Sequence, residues 1–122
     1  MKQQDIDSTI EEVVKGIYES YPILLEKYGE LGRKKCREDN YHHFKHLDTA
    51  YTLKEEKIFI DYTLWLNNIL TSRGMKEDHI IDNFERISHA LEPFTDHDEA
   101  VYYKKLLSLA IMKLEDRKKK VE

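Results

Sequence analysis
The chain has 122 residues, 40% of them hydrophobic and 36% charged, with a formal net charge of −4. This length can bury a core without disulfides or metal, and the mildly acidic balance excludes a general attraction to nucleic acid. Four glycines, two prolines and an absence of β-branched runs argue against an all-β fold, and the single cysteine, Cys36, excludes an internal disulfide framework or a cysteine-rich zinc site.

The elements follow from apolar periodicity. Ser8-Thr9-Ile10-Glu11 resembles a capping box, so a first helix is expected from Ser8 to about Tyr18, with Ile10, Val13, Val14 and Ile17 on one side. Pro22 suits the first turn of a short second helix, Ile23 to Tyr28. Gly29 and Gly32 loosen the chain before a third helix, about Gly32 to Tyr51, whose apolar line is Tyr41, Phe44, Leu47 and Tyr51. After the charged link Lys54–Lys57 comes Ile58–Leu70, IFIDYTLWLNNIL, continuing to Ser72. This segment is apolar on nearly every side, with Ile58, Tyr62, Trp65, Leu66 and Ile69 on one stripe, so it is expected at the centre of a bundle, over residues 55–73.

Gly74 can end that helix, with Arg73 near its negative end. A further helix is expected from Lys76 to Leu91, with Ile80, Phe84, Ile87 and Leu91 inward and Pro93 as its stop. Thr95 is the expected cap of a last helix, with Tyr102, Leu106, Leu109 or Ala110, and Leu114 facing the core. The basic tail 116–122 is expected to fray. The fold class is therefore all-α: one domain over 1–122, an antiparallel bundle of about five or six helices. No window reaches the roughly 20 apolar residues of a membrane span, and the N-terminal residues carry no apolar signal core. With one cysteine, a cytoplasmic location is expected.

The chemistry-bearing residues are few. His42 and His46 stand four apart on a helix, with Glu38 one turn earlier, a spacing that can hold one transition metal or read as a solvated polar face. His43 lies nearer the apolar side, four residues after Asp39, which can orient it. Arg33, Lys34, Lys35 and Arg37 form a basic run at a helix start, where an anionic ligand or acidic partner could dock. Those cations could also lower the Cys36 pKa, although no base stands beside it. No Glu-x-x-His pair, P-loop, Gly-x-Ser-x-Gly or dinucleotide motif occurs, so no catalytic residue can be named and no cofactor is expected. Eight tyrosines border the apolar stripes, and Asn40, Asn67, Asn68 and Asn83 are candidate partners for their hydroxyls.

The stretches EKYGELGRKKCREDNYHHFKHLDTAY and FIDYTLWLNNILTSRGM carry Tyr28-Gly29, Arg33, Cys36-Arg37-Glu38-Asp39, His42 or His43, Tyr62, Trp65 and Arg73-Gly74. On these marks the chain, from about Tyr21 to Leu91, resembles a bacterial helical module of uncharacterised proteins. Related-looking stretches accompany cobalamin-binding or other sensor domains in regulators. The resemblance implies a regulatory or interaction role. The cobalamin signature Asp-x-His-x-x-Gly is absent, so that ligand is not implied.

The expectation is a non-enzymatic regulatory or protein-interaction module. Its partner would be another protein or a second copy in a homodimer, with neither nucleic acid nor membrane involved. The alternative is a metal- or cofactor-binding bundle using Glu38, His42 and His46. Tyr62, Trp65, Leu66 and Ile69 should form either core or one wall of a pocket.

Overall fold
The computed structural model describes residues 1–121, with side chains described through Lys119. Five α-helices account for nearly all of it: α1 (Gln3–Ser20), α2 (Ile23–Leu53), α3 (Glu56–Ser72), α4 (Glu77–Ala90) and α5 (Asp98–Val121). A 3-10 turn, Glu92–Phe94, carries Pro93 between α4 and α5, and no strand occurs among the described residues. No helix is long and apolar enough to cross a membrane.

The all-α bundle is as expected, but several boundaries move. α1 starts at Gln3, not Ser8, and the Asp5 carboxylate accepts from the Lys2 backbone N–H at 3.3 Å. Ser8 lies inside the helix and its hydroxyl donates to the Asp5 carbonyl instead. Thr95 likewise donates to the Glu92 carbonyl rather than capping α5. The two helices expected around Gly29 and Gly32 form one element broken at Gly29, whose φ of 64° and ψ of −164° are not helical. That backbone region is almost closed to residues with a Cβ, so glycine is what permits the break.

The tail expected to fray is helical over 116–121, and Lys118 pairs with Asp78 on α4. Glu122, the last residue of that expected tail, lies outside the described residues. α3 ends as expected. Gly74 has a φ of 87°, the Gly74 N–H donates to the Thr71 carbonyl and the Met75 N–H to the Leu70 carbonyl. This pair of bonds is the Schellman closure that a left-handed glycine allows.

The core is one cluster fed by all five helices. α1 supplies Ile10, Val13, Val14 and Ile17; α4 supplies Ile80, Phe84 and Ile87; α5 supplies Tyr103, Leu106, Leu107, Ala110 and Leu114. Each large aliphatic or aromatic side chain fully removed from water stabilises the fold by about 1.5–3 kcal/mol. On α5 the inward residue is Tyr103, with Tyr102 half-buried. The largest departure concerns α3. It packs on α2 and α5, and more sparsely on α4. Only Phe59, Tyr62, Thr63 and Asn67 are buried, while Trp65 is 59% exposed. The helix expected at the centre is an outer helix with one covered face. Ile58, Ile60, Leu66 and Leu70 are half-buried against the core, and Trp65 stands out from it.

Candidate functional site
Exposed Trp65 and its half-buried apolar neighbours on α3 form the floor of a groove of about 880 Å³ between α2 and α3. The two-residue link Lys54-Glu55 makes the helices antiparallel neighbours. His46 meets Tyr62 near the link, and Asp39 feels the charge of Arg73 toward the far end. From α3 come Ile58, Asp61, Tyr62, Trp65, Leu66, Ile69, Leu70 and Arg73. These positions recur every three or four residues, so they share one helical face. From α2 come Lys35, Glu38, Asp39, His42 and His46, again at three- and four-residue steps. The groove thus has an apolar floor and one polar wall.

Its floor is anchored from below. His43 is buried, and its Nδ1 lies 2.7 Å from the Tyr62 hydroxyl. Both groups are neutral. Burial pulls the His43 pKa down to about 3, helped by the neighbouring His42 and His46, and burial pushes the Tyr62 phenol above its ordinary range. The hydroxyl therefore donates to Nδ1 when the imidazole proton sits on Nε2. Edge contacts to Phe84 at 5.2 Å and to Tyr62 at 5.8 Å hold the imidazole further. His43 thus pairs with Tyr62, not with the expected Asp39. Asp39 instead lines the groove, where His42 acts on its carboxyl.

His46 stacks on the Tyr62 ring, with centroids 3.8 Å apart and planes 12° from parallel. Its Nδ1–H donates to the His42 carbonyl at 2.8 Å, which leaves Nε2 as the acceptor nitrogen. Trp65 continues the aromatic row, 6.1 Å from Tyr62. Glu38, His42 and His46 do line one groove wall. Even so, no three His, Cys, Asp or Glu side chains converge as a metal-holding group among the described residues. His46 is engaged on both sides, by the Tyr62 ring and by the His42 carbonyl.

The basic run does not form one patch. Successive helical residues point about 100° apart, so the four cations diverge. Arg37 binds Glu11 on α1 at 2.5 Å. Arg33 pairs with Glu30 at 3.8 Å and lies over the Tyr18 ring at 5.1 Å. Lys34 is exposed, and only Lys35 reaches the groove. The flanking cations also fail to activate Cys36. Burial raises its thiol to about 11, Asp39 adds to the rise, and Arg37 opposes it only in part.

The tyrosine hydroxyls find acids and a histidine rather than asparagines. Tyr41 donates to Asp7 at 2.8 Å and Tyr103 to Asp48 at 3.2 Å. Asn40 and Asn83 instead bond each other reciprocally, at 3.1 and 2.7 Å, tying α2 to α4.

Tyr62, Trp65, Leu66 and Ile69, expected as core or as one wall of a pocket, all line the groove, with Tyr62 also in the core. Lys35, Asp39, Ile58, Asp61, Leu70 and Arg73 were read for other roles or none, although their spacing on the same two stripes was visible. Set against known proteins, the chain matches no family model, no curated protein and no solved structure.

Proposed function
We propose that this chain is a non-enzymatic protein-interaction module of regulatory character, and that the α2–α3 groove is its contact face. The observation carrying the reading is Trp65, 59% exposed on α3 amid the half-buried Ile58, Leu66, Ile69 and Leu70 that line the groove with it. A soluble chain loses stability and solubility by presenting contiguous apolar surface, so such a surface marks an interaction site. An exposed tryptophan ringed by aliphatic side chains is the residue type on which binding energy concentrates.

Two further features support the reading. His43 is locked in the core, and the Cys36 thiol is raised, so neither is prepared for acid–base or nucleophilic work. The regulatory part rests on the resemblance of Tyr28-Gly29 through Arg73-Gly74 to helical modules of regulators. Trp65→Glu tests the contact face, since an exposed residue can be changed without opening the core. The wild-type chain should self-associate in light scattering or retain a protein from an extract of its native cells, and the variant should do neither. A chain that stays monomeric at every concentration, and whose captured proteins do not depend on Trp65, defeats the proposal.

A further inference from the structure
We infer that the occupant of this contact face is a second copy of the chain, its α3 laid antiparallel across α3 of the first, with Asp61 of each copy meeting Arg73 of the other. This rests on the interaction reading above and adds the partner and its register.

The outer row of α3 carries the argument. Asp61, Trp65, Ile69 and Arg73 stand four residues apart and all line the groove; Asp61, Trp65 and Arg73 are exposed and Ile69 is half-buried. Rows at this spacing are the ridges by which two helices most often pack, with axes crossing at about 50°. The row covers roughly 18 Å at 1.5 Å per residue. Read forward it is acid, tryptophan, isoleucine, base; read backward it is base, isoleucine, tryptophan, acid. Laid against its own reverse, it sets each carboxylate against a guanidinium and each indole against an isoleucine. A two-fold axis at the level of Asn67 makes both matches at once, because an isologous contact places residue i on j and j on i. Parallel pairing sets Asp61 on Asp61 and Arg73 on Arg73, and like charges repel. A different protein has no need of this reciprocal order, whereas a second copy requires it.

Both charges are available. Asp61 has Lys57 at 3.8 Å across exposed side chains, a weak pair. Arg73 forms no ion pair among the described residues and acts on Asp39 only as a nearby charge. Glu38 and Asp39 share the Arg73 end of the groove with Lys35, so that end is balanced as a whole and the charge order resides in the α3 row. Trp65, covered by aliphatic side chains of the partner, is where the binding energy concentrates. One helix crossing falls at the small end of the interface range, below about 1,200 Å² in total, so the dimer is weak and forms at high concentration.

Sedimentation equilibrium of the full chain from about 10 μM to about 1 mM tests this, since weak pairs form in that range. The variants are Asp61→Arg and Arg73→Asp, both at exposed positions, with helicity checked by circular dichroism. Each variant alone puts like charges at both contacts and should weaken dimerisation about tenfold. Mixed one to one, the two variants are complementary at both contacts and should form a heterodimer of about wild-type strength. The double variant Asp61→Arg/Arg73→Asp should recover in the same way. Trp65 is the one tryptophan in the sequence, so its emission should shift to the blue as the dimer forms.

A Trp65-dependent dimer that the charge variants do not weaken, or that their mixture does not restore, overturns this inference and leaves the interaction reading standing. So does a chain that is monomeric at every concentration yet retains another protein through Trp65. A monomer that retains nothing through Trp65 overturns both. A dimer untouched by Trp65→Glu lies on another face and overturns the inference.

Discussion
Buried His43 makes the stability of this bundle depend on pH in a calculable way. In the unfolded chain its imidazole titrates near 6.5, while in the folded chain burial lowers that to about 3. Between these values the unfolded state binds a proton that the folded state refuses. Stability is therefore full above about pH 6.5 and falls as pH drops toward 3, by about 1.4 kcal/mol per pH unit through the middle of the window. From pH 7 to pH 5 the His43 contribution amounts to about 2 kcal/mol, taking the folded value of about 3. Other carboxylates and histidines titrate in the same range, so the measurement must be differential.

His43→Gln keeps a polar group facing the Tyr62 hydroxyl but cannot take up a proton. Urea unfolding of both chains at pH 7, 6 and 5 isolates the imidazole. The wild type should lose about 2 kcal/mol more than the variant over that range. A wild-type-minus-variant difference that stays constant with pH would mean that His43 is protonated or solvated in the folded state. The account of the groove floor would then be wrong.

Tyr62→Phe removes the partner of a buried imidazole and should cost ~1–3 kcal/mol in urea unfolding, while keeping the ring on which His46 stacks. Asn83→Ala leaves the buried Asn40 carbonyl oxygen without its donor and should cost a similar ~1–3 kcal/mol. The double variant Asn40→Leu/Asn83→Leu should recover most of that loss, and a double variant as weak as the sum of two losses would contradict the pairing. Gly29→Ala meets no neighbouring atom within 4 Å, yet its left-handed φ predicts a loss of ~1–3 kcal/mol, read from thermal unfolding. In the folded chain Cys36 should react with a disulfide reagent at pH 8 roughly 100-fold more slowly than an ordinary thiol, and should recover in urea.

Helix positions were legible because the signal is local. Ile80, Phe84 and Ile87 repeat at helical spacing whatever packs on them, and Arg73-Gly74 ends a helix through its own backbone. Caps were less legible. Ser8 and Thr95 have the right side chains, but an upstream turn had already satisfied the backbone, so both hydroxyls bond carbonyls within the helix or turn. The basic run Arg33–Arg37 misled because adjacency in sequence is divergence on a helix.

The sequence by itself determined that this chain is helical, where most helices lie, and that Tyr62, Trp65, Leu66 and Ile69 share a face. It could not determine whether that face was inside. An apolar side chain carries the same periodic signal whether its own chain or another molecule covers it. In the fold Phe59 and Tyr62 of α3 join Phe84, Leu106 and Leu107 in the core, while Trp65 stays outside it. The tertiary structure decided the rest. It set α3 at the edge, seated His43 beneath Tyr62, and brought Lys35 and Arg73 from distant positions to one end of a groove.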